Sequence, residues 1–92
     1  MRQAARSDAN QQTIIGALRN IGCQIYYIKL PLDLLVAGGP LKDANLLMEV
    51  KMPGEKLNVA QEDFWLRWPG RKCVVRSVQE ALEAVLGKEA LR

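Results

Sequence analysis

Most of the glycine and proline residues of this chain mark breaks between segments and limit the lengths of its helices and strands. Gly22 follows the first helical pattern, the positions 38–40, 53–54 and 69–70 separate the middle segments, and Gly87 follows the last one. Glycine releases the backbone for turns and proline removes an amide donor, so neither suits the interior of a helix or a central strand. The 92 residues therefore predict one domain, over 1–92, built from short elements.

The segments between these breaks carry helix and strand patterns in a definite order. Asp8 and Gln11 have capping-box spacing for a helix that ends at Gly22. Residues 23–30, 32–37 and 45–52 predict three strands, with the second and third paired as a hairpin. Asn58 predicts the cap of a second helix, residues 73–76 a short internal strand, and Ser77 with Glu80 the capping box of a third helix. The order αβββαβ(α) places the chain in the α/β class.

Composition restricts the chemistry more than it identifies a partner. The chain has no histidine, which excludes Ser-His and Cys-His devices and histidine zinc sites, so hydrolysis would depend on carboxylates, lysine and a hard cation. The net charge of +3 permits phosphate binding without indicating it. Cys23 and Cys73 suit reduced, buried thiols. No segment has signal-peptide or membrane-span character, so we expect a cytoplasmic protein with no membrane partner.

Two charged side chains interrupt the apolar strand over residues 45–52. Strand residues alternate between faces, so Glu49 and Lys51 share one face. The other face carries Leu46, Met48, Val50 and Met52. In the preceding strand Asp33 lies between two leucines, and a hairpin would place it beside Glu49. Two convergent carboxylates suit Mg²⁺ or Mn²⁺, while an ammonium nearby can orient water or stabilise a phosphate. The alternative is an exposed Glu49–Lys51 ion pair on an edge strand, with Asp33 marking a strand end.

These residues resemble the signature of the PD-(D/E)XK nuclease superfamily. Pro31, Leu32 and Asp33 are followed, after fifteen residues, by Glu49, Val50 and Lys51. Together with Gln61 at the start of the next helix and Arg76-Ser77 after the last strand, the pattern is most similar to the VRR-NUC and Holliday junction resolvase-like branch, including small phage-encoded members. The resemblance runs from Ser7 to Leu86 and implies a restriction-endonuclease-like core, a mixed central sheet flanked by helices.

The resemblance also implies roles for individual residues. Asp33 and Glu49 would ligate Mg²⁺ or Mn²⁺, the carbonyl of Val50 would complete the shell, and Lys51 would act on the nucleophilic water. Gln61 would support Lys51 or the phosphate, although it equally fits a capping box with Asn58. The implied activity is endonucleolytic cleavage of branched DNA, such as a four-way junction, by a homodimer.

The first helix departs from that family pattern. Related resolvases carry a glutamate where this chain has Gln11, and an amide holds a cation less tightly than a carboxylate. Gln11 is therefore either a weak ligand or half of the capping box with Asp8. A catalytically weak DNA-binding or assembly module that keeps the nuclease fold is the alternative function.

Three further sets of residues bear on DNA and on self-association. Lys42 and Lys56, in loops beside the Asp33 and Glu49 strands, are candidate phosphate contacts, although charged surface residues are usually only solvated. Trp65 and Trp68 could stack on bases, but at helical spacing beside Phe64 they more often lie in a core or a subunit interface. The two tryptophans and the leucine-rich hairpin predict the surface of a symmetric dimer.

Overall fold

The computed structural model describes the backbone of residues 2–87 and the side chains of residues 9–87. Within this range lie three α-helices, one 3-10 turn and four strands. In chain order they are α1 (Arg2–Asn20), β1 (Cys23–Tyr27), β2 (Leu34–Gly38), the 3-10 turn η1 (Gly39–Leu41), β3 (Asn45–Val50), α2 (Val59–Arg67), β4 (Lys72–Val75) and α3 (Val78–Leu86). The predicted α/β order of elements is confirmed.

The strands form one mixed sheet in the order β1-β2-β3-β4. β1 pairs with β2, and β2 with β3, in antiparallel register, whereas β3 and β4 run parallel. The predicted hairpin of the second and third strands is confirmed. The prediction that β4 is internal is wrong, because β4 lies at the edge of the sheet among residues 2–87.

The two faces of the sheet are covered differently. α1 and α3 pack on the face that carries the core, whose fully buried members include Ile14, Leu18, Leu34, Val36, Met48, Val75 and Ala81. α2 lies over the opposite face, where its Phe64 and Trp68 border a groove floored by Leu35 and Leu47. No residue of α2 is fully buried. The tighter packing is therefore on the face that carries α1 and α3.

Several element boundaries differ from the predicted ones. α1 begins at Arg2, so Asp8 lies inside the helix and the predicted cap at Asp8 is wrong. β1 ends at Tyr27 because Lys29 adopts a left-handed backbone with φ 70°, which breaks extended pairing. β2 begins only at Leu34, so Asp33 precedes the strand rather than lying within it. β3 ends at Val50, and the strand over 72–75 begins one residue earlier than predicted.

The predicted caps of the later helices are largely confirmed. Asn58 and Gln61 form a reciprocal capping box at α2. At α3 the Ser77 hydroxyl accepts from the Glu80 amide at 3.1 Å, but the Glu80 carboxylate accepts from the amide of Arg76, so the predicted box is only half formed. Gly87 follows α3 with φ 89°, as a terminating glycine does.

Cys23 is buried and Cys73 half-buried, and both are free thiols. Burial raises the pKa of the Cys73 thiol to about 12, which suppresses the thiolate and so its nucleophilicity. None of the described helices combines the length and the apolar character required to span a membrane.

Candidate functional site

The β2–β3 register brings Asp33 and Glu49 together. Leu34 is the partner of Met48, so the next residues outward, Asp33 and Glu49, face each other where the ladder ends. The backbone N–H of Val50 donates to Asp33 Oδ2 at 2.9 Å, and the N–H of Asp33 donates to Glu49 Oε1 at 3.1 Å. These reciprocal bonds hold the two carboxylates at the carboxyl end of β3.

Glu49 is buried and surrounded by polar partners. The residue is only 3% exposed, on a strand that lies between β2 and β4. The amide nitrogen of Gln61 donates to Glu49 Oε2 at 2.7 Å, and the ammonium of Lys51 lies 3.4 Å from the same oxygen. The alternative of an exposed ion pair on an edge strand is therefore wrong, and the three polar residues form one cluster.

On balance, the surroundings of Glu49 disfavour its ionised form. Burial raises the pKa of its carboxyl, because desolvation penalises the charged form, and the neighbouring Asp33 charge raises it further. The hydrogen bond from Gln61 and the ammonium of Lys51 lower that pKa, but the net shift is upward. Two carboxylates that disfavour each other's charge form a place where a cation is electrostatically favoured.

Gln61 forms the predicted capping box with Asn58 and also contacts Glu49, while its predicted support of Lys51 or a phosphate stays a prediction. Its side-chain oxygen accepts from the N–H of Asn58 at 3.0 Å, and its own N–H donates to the Asn58 side chain at 2.9 Å. The same side chain then offers its nitrogen to Glu49. Because the capping bond occupies the oxygen, the amide group is oriented with its donor toward the carboxylate, and the start of α2 is tied to β3.

The carbonyl of Val50 points toward the Asp33 segment. In an extended strand the N–H and C=O of one residue point to the same side, and the N–H of Val50 reaches Asp33. On the other side of β3, the next residue, Lys51, donates its N–H to the Val75 carbonyl of β4 at 3.0 Å. The orientation of Val50 is compatible with the predicted ligand role, which stays a prediction.

Gln11 lies on the buried side of α1. Only 4% of the residue is exposed, and the capping-box interpretation is wrong because the helix starts nine residues earlier, at Arg2. The preceding residue, Asn10, donates to the carbonyls of Lys51 at 3.0 Å and Arg76 at 3.4 Å, so this turn of α1 reaches the carboxyl ends of β3 and β4. α1 packs on the core face, whereas Glu49 lies on the other, and metal ligation by Gln11 stays a prediction.

The two candidate lysines lie at opposite ends of the sheet. Lys56 is exposed in the loop that follows β3, at the end where Asp33 and Glu49 meet. Lys42 is exposed directly after η1, in the turn between β2 and β3 at the far end. Lys56 therefore lies at the same end of the sheet as the candidate site and Lys42 at the opposite end, because antiparallel pairing puts a hairpin turn opposite the strand ends.

The tryptophans of α2 do not belong to the core. Trp68 is 45% exposed and its ring stacks on Phe64, with 5.7 Å between centroids. Trp65 is half-buried, with the ammonium of Lys72 5.2 Å from its ring centroid. The prediction of a shared inward stripe holds for Gln61 and Phe64, while Trp68 lies at the border of the groove.

The donor set of the site suits a divalent cation of the magnesium type. Asp33 and Glu49 are the residues that would hold it, since Mg²⁺ takes one or two protein carboxylates and keeps several waters. Among the residues with described side chains, no cluster of three or more acidic, cysteine or histidine residues occurs. The arrangement thus fits a hydrated hard cation and does not fit a fully protein-ligated metal.

Two contacts at the site were not expected from the sequence. Asn10 joins the ends of β3 and β4, and the guanidinium of Arg76 donates to the Glu55 carbonyl at 2.7 Å, which tethers the loop after β3. Asn10 lies within a helical pattern and Arg76 at a strand end, and neither has a distinctive spacing from its partner. Both contacts depend on packing between residues distant in sequence.

Comparisons with protein families, with curated proteins and with solved structures find no significant match to this chain.

Proposed function

We propose that this protein is a Mg²⁺- or Mn²⁺-dependent endonuclease that hydrolyses phosphodiester bonds in branched or otherwise structured DNA. The observation that carries the proposal is the convergence of Asp33, Glu49 and Lys51 at the end of the β2–β3 pair, with the Lys51 ammonium 3.4 Å from Glu49. Charge pairs are uncommon inside apolar strands unless they bind something, because burying ionised groups costs several kcal/mol.

The topology supports a restriction-endonuclease-like core of the VRR-NUC type. The sheet consists of an antiparallel β1-β2-β3 unit followed, after α2, by β4 in parallel with β3. This is the αβββαβ order that the PD-(D/E)XK resemblance implies. The side chains that resemble the signature lie at one end of its central pair of strands, directly before β2 and at the end of β3. Ligand sites at the carboxyl ends of strands are common in α/β sheets.

Each residue of the cluster has a role that its environment allows. Asp33 and Glu49 bind the cation, and Lys51 orients the attacking water or stabilises charge on the phosphate. A bound Mg²⁺ would supply Lewis acidity to the phosphate and lower the pKa of a bound water. Gln61 holds the Glu49 carboxylate in place. In the reaction, water adds to phosphorus, one P–O ester bond breaks and the leaving oxygen takes up a proton.

A catalytically weak DNA-binding or assembly module is the second candidate. Both carboxylates already accept backbone hydrogen bonds that close the end of the β2–β3 ladder, which is a structural role. Gln11 in place of an acidic residue favours the same candidate, since an amide contributes no formal charge to a metal site.

Cleavage of a substrate panel distinguishes the two functions. Labelled linear, flap, splayed and four-way DNA would be incubated with and without Mg²⁺ or Mn²⁺. We expect metal-dependent cleavage of the branched forms, and we expect Asp33→Asn and Glu49→Gln each to lower the rate by at least about 100-fold, the scale seen when charged stabilisation is removed from an active site.

Glu62→Gln is the matched control, because Glu62 is an exposed acid one residue after Gln61. Its cleavage rate should equal that of the unmodified protein. Circular dichroism checks that each variant is folded. Equal cleavage by folded Glu49→Gln protein would reject the site assignment, and DNA binding without cleavage under any metal would select the second candidate.

A further inference from the structure

A groove beside the carboxylates is the part of the molecule that the proposed chemistry does not use. Its volume is about 340 Å³. We call it the α2 groove; its lining includes Pro31, Leu35, Leu47, Phe64, Trp68 and Arg71. Apolar side chains form its floor and one wall, and polar groups lie at one end.

The α2 groove lies next to the candidate site on the same face of the sheet. Leu47 lies two residues before Glu49 and Leu35 two residues after Asp33, so these leucines extend the same sheet face by one pleat, about 7 Å. The other wall is α2, which also provides Gln61, the hydrogen-bond partner of Glu49. A DNA strand with one phosphate at the two carboxylates would therefore have its neighbouring nucleotide near the groove.

Two neighbouring residues fix the position of the Trp68 ring at the border of that groove. Its ring stacks on Phe64 at an interplanar angle of 22°. On another side it lies against Gly70, where an added Cβ would come within 2.6 Å of the indole nitrogen. A half-exposed indole fixed by two neighbours offers a flat face without a large ordering cost, which is typical of residues that anchor a ligand.

The chemistry of the groove suits a flat, partly polar ring next to a phosphate. The guanidinium-bearing Arg71 and the amide of Asn45 line the end farthest from Glu49. Both residues are exposed at that end, where β3 begins and β4 is about to begin. Aromatic stacking combined with a cation along the backbone path is how proteins hold unpaired bases without reading their sequence.

We propose that the α2 groove binds an unpaired nucleobase of the DNA strand whose phosphate lies at Asp33 and Glu49. This inference rests on the proposed function and specifies its substrate: the strand must have at least one unstacked base next to the scissile phosphate. Flaps and splayed arms provide such bases directly, whereas fully paired DNA, including a fully paired junction, provides one only if a base is flipped out of the stack. Arg71 contacts the adjacent phosphate, and Trp68 stacks on the base.

Binding measured without metal tests this inference separately from catalysis. The protein, in EDTA, is titrated with a single-stranded oligothymidylate and with an abasic strand of equal length and charge. Tryptophan fluorescence in a Trp65→Phe background reports on Trp68, since the chain has two tryptophans. The anisotropy of a dye-labelled strand gives the affinities of all variants, including those without Trp68. We expect quenching and tight binding with the oligothymidylate only, and a loss of about 5- to 150-fold in its affinity on Trp68→Leu, the range for one stacked base.

Gly70→Ala is the second variant, because its methyl displaces the indole while keeping every groove side chain. It should also weaken binding of the oligothymidylate and leave the abasic strand unaffected. Equal affinity of the unmodified protein for both strands, or unchanged base-dependent binding in folded Trp68→Leu protein, would overturn the inference.

A second copy of the chain is the competing occupant of the groove. Light scattering of the same proteins settles this point: a smaller mass for Trp68→Leu, with unchanged oligonucleotide affinity, would make the groove a subunit interface and overturn the inference. Failure of the proposed nuclease function has a different signature, namely base-dependent binding in EDTA with no cleavage after metal is added.

Discussion

At the residue scale, Glu49 is the most constrained group in the molecule. It is a carboxylate inside a sheet, beside a second carboxylate, with one amide and one ammonium in contact. Asp33 raises its pKa, whereas Gln61 and Lys51 lower it. The balance decides how much of Glu49 is ionised at a given pH, and a metal ligand must be ionised.

Opposite shifts are expected when the two charged neighbours of Glu49 are neutralised. In metal-free protein, Asp33→Asn should lower the Glu49 pKa because a like charge is removed, and Lys51→Met should raise it because an opposite charge is removed. Carbon-13 NMR of the Glu49 carboxyl measures both. Lys56→Met, which removes an exposed charge in the next loop, is the control and should leave the titration unchanged. Shifts of the same sign in both variants would contradict the electrostatic account.

The sign of the stability effect follows from the same shift. Glu49 has a folded-state pKa above its unfolded value, so its protonated form is favoured by folding. Its contribution to stability is complete below the unfolded pKa, about 4.3, and is lost as pH rises through the raised folded pKa. Urea unfolding of the metal-free protein at several pH values in that interval measures the loss of unfolding free energy. Added Mg²⁺ should restore part of that free energy.

At the element scale, the turn between β2 and β3 depends on one glycine. Gly39 has φ 54°, and an added Cβ would lie 2.9 Å from the Ile21 carbonyl oxygen. A larger residue would therefore have a strained backbone and would also clash with the Ile21 backbone. η1 thus fits against the end of α1 only because Gly39 has no side chain. This contact sets the hairpin, and the hairpin register sets the spacing of Asp33 and Glu49.

Alanine should have opposite effects at two glycines. Gly39→Ala should lower the free energy of unfolding by about 1–3 kcal/mol, the cost of a non-glycine residue in a left-handed conformation. Gly16→Ala should raise it by about 0.5–1 kcal/mol, because Gly16 is exposed within α1, has open space around it and gains helix propensity. Urea denaturation measures both. A stabilised Gly39→Ala protein would show that the turn can relax away from Ile21.

At the scale of the whole molecule, the hairpin leucines of the predicted dimer surface are largely covered, whereas Trp68 of that surface is 45% exposed. The hairpin leucines Leu34 and Leu46 are buried in the core. Leu35 and Leu47 are half-buried in the α2 groove. Two large exposed apolar side chains lie on α2, with Val59 82% and Leu66 87% exposed, seven residues apart on one helical stripe. Others lie in β1 and shortly after it, at Tyr26, Tyr27 and Leu30. Exposed stripes of this kind often mark interfaces.

We expect a homodimer that pairs α2 with its two-fold mate through Val59 and Leu66. Light scattering at micromolar concentration should give twice the chain mass of 10.3 kDa, and Leu66→Glu should give a monomer, since a desolvated charge would oppose the contact. Gln24→Glu, an equal charge change at an exposed site on β1, is the control. A monomer for the unmodified protein would reject the dimer and leave the carboxylate site unaffected.

Much of the architecture was determined by local sequence. The useful signals were short-range: the breaks at glycine and proline, the alternation in 45–52 and the caps at Asn58 and Ser77. They predicted the order of the elements and the proximity of Asp33 to Glu49. The errors have local causes too. The start of α1 and the end of β1 depend on backbone choices with weak signals, such as the left-handed Lys29.

What the tertiary structure alone decided is which distant groups meet. The sequence predicted the Gln61 cap, and packing of α2 over the sheet added the hydrogen bond from Gln61 to Glu49. Lys42 was separated from the carboxylates by the hairpin, and Asn10 was brought to the end of β3 by the position of α1. Side-chain type and spacing are encoded along the chain, but burial and long-range contacts arise only when the sheet faces are covered.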